Sequence, residues 1–165
     1  MDNFIEKNLV SLIAQGINSS QNELALEALK AAKAIVYYTP LAELTQVLNN
    51  ALQHKNRDVA FVSLDILRLI HETENKVKPI TPLEYKKILI DAAIPFLVTC
   101  LKSSSDEIAL SALNAAGVLS NNAEVNEYLF NPVEQMMLHK NKQIAYLALD
   151  IIRSMNLGKE IHAFE

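Results

Sequence analysis

One stretch of this chain occurs twice, and that repetition limits the fold more than any other feature. HKNKQIAYLALDIIR, from His139 to Arg153, is matched in register by HKNRDVAFVSLDILR, from His54 to Arg68, 85 residues earlier. The copies share His-Lys-Asn, an alanine, Leu-Asp-Ile and a closing arginine. A looser form recurs as ELALEALKAAKAI from Glu23 and EIALSALNAAGVL from Glu107. Aligned on Ala25, Ala60, Ala109 and Ala145, the spacings are 35, 49 and 36 residues. Periods of this size mark stacked helical repeats, in which each unit buries its apolar side against a neighbour. In each copy an apolar residue, a small residue and a leucine fall at i, i+4 and i+5, close together on a helix. The small residue lets helix backbones approach, and the leucine fills the layer. Leu29, Leu64, Leu113 and Leu149 are therefore expected in the core, and the four alanines in equivalent layers.

Composition agrees with a helical reading. Half of the 165 residues are hydrophobic but only 6% are aromatic, with no Trp, 3 Gly and 5 Pro. So few turn formers argue against an all-β chain, and this length suits a single domain, 1–165. The net charge of −4 argues against nucleic-acid binding by bulk charge. With Cys100 the sole cysteine, no intrachain disulfide can form, which points to a reducing compartment. MDNFIEKNLV lacks the basic start of a secretory signal. No apolar run approaches the roughly 20 residues that span a bilayer. These features predict a soluble, cytoplasmic protein.

Along the chain, residues 2–17 read as a capping helix with Phe4, Ile5, Leu9, Leu12, Ile13 and Ile17 on one side. Ser19 or Ser20 is expected to cap a helix reaching Tyr38, and Pro40 to open the next. Asn56 or Asp58 caps a helix to about Glu72 that is apolar on nearly every side. Residues 71–80 form a long polar connection. Thr81-Pro82-Leu83-Glu84 is a capping box with Pro at the first helical position. Pro95 and Asn131-Pro132 predict helix breaks. Asn141 caps the last helix, and Gly158 is expected to end it. The repeats then cover about 2–38, 40–73, 82–121 and 123–157, with a tail from 159 to 165.

IPFLVTCLKSSSDEIALSALNAAGVLSNN, from Ile94 to Asn122, resembles an armadillo repeat in its Ile-Pro entry, Leu-rich second helix, Ser/Asp loop and Ala/Leu-rich third helix. ALQHKNRDVAFVSLDILRLI, from Ala51, is closer to the HEAT variety. The resemblance covers nearly the whole chain and implies an all-α, right-handed α-solenoid of about four repeats, built as a duplicated two-repeat unit. It departs from the family at one place. The Trp ladder of nuclear-import armadillo grooves would fall at Lys30, Asp65, Asn114 and Asp150, and the Asn ladder at Ala34, Leu69, Val118 and Ser154. Neither ladder is present, so binding of nuclear-import signals is not implied.

No phosphate loop, nucleophile elbow or HExxH motif occurs. His54 and His139 are repeat equivalents, roughly 20 Å apart at helix-packing distances, too far to share a metal. They are expected to meet helix C-terminal carbonyls. No cofactor or metal site is expected, and no enzyme activity. The expected function is an adaptor that holds a protein or peptide segment on the concave face. Glu27, Lys30, Val62, Asp65, Leu69, Ser111, Asn114, Val118, Leu147 and Asp150 are the contact residues. Asp65/Arg68 and Asp150/Arg153 have the i, i+3 spacing of helix ion pairs. The alternative is a nucleic acid or other polyanion held at an edge formed by Lys55, Arg57, Lys102, Lys140 and Lys142, each in a turn that enters a helix N-terminus. The last helix is apolar all round from Ile144 to Leu149. That calls for cover, either by the tail through Ile161 and Phe164 or by another chain, a second copy or a partner.

Overall fold

The computed structural model describes residues 4–74 and 76–163, with side chains through Asn156. Every regular element among them is helical. The helices are α1 (Val10–Ile17), α2 (Asn22–Ile35), α3 (Thr45–Ala51), α4 (Arg57–Thr73), α5 (Pro82–Ile88), α6 (Ile94–Leu101), α7 (Asp106–Leu119), α8 (Ala123–Gln135) and α9 (Lys142–Ala163). Two π turns, Ile5–Leu9 and Leu89–Ala93, precede α1 and α6. The chain divides into two compact units, residues 1–99 and 100–165. No described helix is long and apolar enough to cross a membrane.

Capping residues explain where the helices begin. The Asn56 side chain accepts from the Asp58 and Val59 N–H groups at 2.9 and 3.2 Å. Asn141 does the same for Gln143 and Ile144 at 3.0 and 3.4 Å. Thr81 accepts from Glu84 N–H, with Pro82 in the first turn. Ser105 and Asn122 cap α7 and α8. Such bonds satisfy amides that a helix leaves unpaired at its start. Asn56→Ala and Asn141→Ala are each expected to cost about 1 kcal/mol in urea unfolding. Helix α2 begins otherwise. Gln21 is its N-cap but its side chain does not cap the helix amides, and Ser19 accepts from Gln21 N–H.

Within the first unit α2 packs against α1 and α4, and α3 against α4. Within the second, α7 packs against α8 and α9, and α8 against α9. The buried positions match between units. Leu24, Ala25, Ala28, Leu29, Ala31, Ala32 and Ile35 of α2 correspond, 84 residues on, to Ile108, Ala109, Ala112, Leu113, Ala115, Ala116 and Leu119 of α7. Val59, Ser63 and Ile66 of α4 correspond, 85 residues on, to the buried Ile144, Ala148 and Ile151 of α9.

The expectation of four equivalent layers is corrected to two pairs. Ala25 and Ala109 are fully buried, whereas Ala60 and Ala145 are half-buried. Leu29 and Leu113 are core residues, Leu149 is half-buried, and Leu64 is 39% exposed. Helix α4 is thus not enclosed on all sides. It buries one face and turns the other outward.

Three expected helix ends are absent. Pro95 does not break the chain's helical run. The preceding turn widens to a π turn, closed by Ile94 N–H to Leu89 C=O, which makes room for a ring that would otherwise press on the carbonyl four residues back. Pro132 lies inside α8. The carbonyl it leaves without a donor is that of Tyr128, a residue on the exposed side. Helix α9 continues through Gly158 to Ala163. A lone glycine inside a helix costs only about 1 kcal/mol.

Candidate interaction surfaces

The His-Lys-Asn turn is a local structural device in both copies. His54 Nδ1 accepts from Asn56 N–H at 3.0 Å, and His139 Nδ1 accepts from Asn141 N–H at the same distance. An imidazole that accepts at Nδ1 is neutral and carries its proton on Nε2. The helix C-terminal carbonyls are met by the backbone of these histidines, His54 N–H to Ala51 C=O at 3.0 Å and His139 N–H to Met136 C=O at 3.1 Å, and not by the rings at Nδ1. The ring braces the turn that enters the next helix. In the second unit the device is extended. Asp106 accepts from the Asn141 side-chain amide at 2.9 Å, and its other carboxylate oxygen lies 3.8 Å from His139 Nε2. That carboxylate ties the start of α7 to the start of α9.

Among the described residues no three His, Cys, Asp or Glu groups converge to hold a metal ion. Burial pushes the Cys100 thiol up to about 12, so it is not a thiolate at neutral pH.

The expected contact residues fall into two groups of five, one per unit. In the first, Glu27, Val62, Asp65 and Leu69 are half-buried and Lys30 is exposed. Lys30 Nζ lies 3.8 Å from Glu27 Oε1. Asp65 pairs across to Lys33 of α2 at 3.1 Å, not with Arg68. The i, i+3 pairing is corrected here because packing of α2 on α4 offers a closer cation. Both partners are about half exposed, so the pair adds little stability and mainly fixes which faces adjoin. In the second unit Asn114, Val118 and Asp150 are exposed, and Ser111 and Leu147 are half-buried. Asp150 and Arg153 form no ion pair among the described residues.

Two aromatic residues belong on these surfaces, though spacing arguments passed over them. Phe61 is 73% exposed and Tyr146 is 66% exposed, and they are counterparts in the repeated stretch. Each stands one turn before the repeated aspartate, Asp65 or Asp150, and two turns before the repeated arginine, Arg68 or Arg153. Each copy thus presents an outward line of aromatic, acid and base. The sequence signal was an aromatic at the same place in both copies. The outward side of α9 accordingly carries Tyr146 open to solvent. Phe164 and the side chain of Ile161 lie outside the described residues.

Lys55, Arg57, Lys102, Lys140 and Lys142 are all exposed. Acids share the turns into α4, opened by Asp58, and into α7, opened by Asp106 and Glu107, whereas the first turn of α9 has none of its own. These carboxylates occupy the place where a helix N-terminus would favour an anion.

The chain matches no protein-family model. Nor does any curated protein match its sequence significantly.

Proposed function

We propose that the chain is an armadillo/HEAT-like α-solenoid that acts as a non-enzymatic interaction module, holding partner protein segments on the outward face of α2 with α4 in the first unit and of α7 with α9 in the second. The observation that carries this reading is the recurrence of one exposed aromatic, Phe61 and Tyr146, at matching positions. Leaving a large ring in water has no benefit for folding, whereas aromatic side chains are favoured anchors at interfaces. The aspartate and arginine beside each ring supply orientation. The burial matches between α2 and α7, and between α4 and α9, support a repeated architecture. The polyanion alternative is weaker, because acids stand among the basic turns.

The test is capture from native lysate by wild type, by Phe61→Ala/Tyr146→Ala and by Asp65→Arg/Asp150→Arg. Loss of the same prey in both variants is expected, with unchanged helical circular dichroism. Equal prey in all three lanes would refute the proposal.

A further inference from the structure

The first unit also contains a cleft that the partner-binding reading does not use. It has a volume of about 310 Å³ and is lined by Ala34 and Tyr38 on one side and by Glu84, Lys87, Ile88, Asp91 and Ala92 on the other. That volume is at the lower end of the range for small-molecule sites. Its origin is local. Helix α2 packs against the π turn Leu89–Ala93, and alanines face the gap from both sides. The π turn keeps Leu89 and Ala93 in the core while Asp91 reaches solvent. π turns inside α-helices recur at functional sites.

The chemistry of the lining is uneven. Ala34, Ile88 and Ala92 form an apolar floor. The rim carries two carboxylates and one ammonium. Tyr38 faces Glu84 across the cleft, and hydrogen bonding to that carboxylate, with burial, raises the phenol pKa above its ordinary value. Neither Lys87 nor Asp91 takes part in an ion pair among the described residues. The wall behind Tyr38 is fixed as well. Lys78 N–H donates to Tyr37 C=O at 2.8 Å, and the Lys78 ammonium lies 5.8 Å from the Tyr37 ring centre. These contacts hold the connection before α5 against the end of α2.

From this arrangement we propose that the cleft between Ala34–Tyr38 and Glu84–Ala92 binds a small organic cation, a guanidinium or primary ammonium on a short apolar body. The body lies on Ala34, Ile88 and Ala92. The cationic head meets the carboxylates at the rim, Asp91 and Glu84. An anion is excluded by the two carboxylates. A neutral apolar molecule gains only the small floor. Lys87 competes for the same carboxylates, which makes its removal informative.

The experiment is a titration of the full chain followed by amide NMR, with n-butylguanidinium and n-butylammonium as probes and n-butanol and butyrate as controls. Saturable shifts centred on Ala34, Tyr38, Ile88 and Ala92 are expected with the cations only. Asp91→Asn, at an exposed position, weakens binding about tenfold, the scale of one charge-assisted contact. Lys87→Gln tightens it severalfold. Ala34→Leu fills the floor and abolishes the shifts with unchanged helical circular dichroism. Equal shifts from n-butanol, shifts that spread over surface acids without saturating, or binding that survives Ala34→Leu would each overturn the proposal.

Discussion

Leu113→Ala is expected to lower the stability of the second unit by about 2–5 kcal/mol, while Leu64→Ala costs about 1 kcal/mol or less. The two leucines hold the same place in their repeats, so the contrast isolates environment from sequence. Leu113 is fully buried among Ala109, Ala112 and Ala116 on the inward face of α7. Small neighbours on a packed face collapse little into a vacated space, so the lost transfer energy and the cavity add. Leu64 already meets water over 39% of its surface and leaves no closed void. Urea midpoints measured by far-ultraviolet circular dichroism check this. Equal losses at both sites would mean that the two motif classes do not differ in packing.

The second large effect concerns two helical glycines, where the same substitution is expected to act with opposite sign. A methyl group at Gly16 would stand 2.8 Å from the Ala28 Cβ and 3.0 Å from the Phe96 ring. Neither neighbour can give way easily. Ala28 Cβ is fixed to the backbone of α2, and Phe96 is fully buried. Gly16→Ala is therefore expected to cost about 1–3 kcal/mol through forced separation of α1 and α2, despite the better helix propensity of alanine. At Gly117 the nearest atoms belong to Ile151, at 3.5 Å, an ordinary contact distance. Gly117→Ala is expected to stabilise by about 0.5–1 kcal/mol, by reducing unfolded-chain entropy and adding a contact between α7 and α9. Thermal midpoints of the two variants move apart if the close approach at Gly16 is real. A rise in both would refute it.

Much of this architecture was legible in short-range patterns. Asn56, Thr81, Ser105 and Asn141 were readable as caps because a cap satisfies amides within three residues of itself, a local matter. The core of α2 and α7 was readable because leucine and alanine recur at helical spacing along one face. What escaped depended on neighbours distant in sequence. The partner of Asp65 is Lys33, which only packing of α2 on α4 brings close. Pro95 and Pro132 read as breaks because the rule for an interior proline ignores a widened turn or a solvent-side carbonyl. Gly158 read as a stop because its spacing fits a cap, yet the helix passes through it. Phe61 and Tyr146 lie two residues from the core positions Val59 and Ile144 yet face outward. Only the helical phase distinguishes them. The candidate surface was thus half visible. Its charged and half-buried members were expected, and its two most exposed anchors were not.

The match between α2 and α7 has a further consequence. Seven interior positions coincide in burial, yet outward ones differ: Glu27, Lys30 and Ala34 stand where the later helix has Ser111, Asn114 and Val118. Scaffold and specificity are thereby uncoupled. A chimera with Asp106–Leu119 transplanted in place of Asn22–Ile35 would keep the hydrophobic framework and exchange only the surface chemistry. A change at the exposed positions of one helix therefore leaves the matching core positions of both untouched.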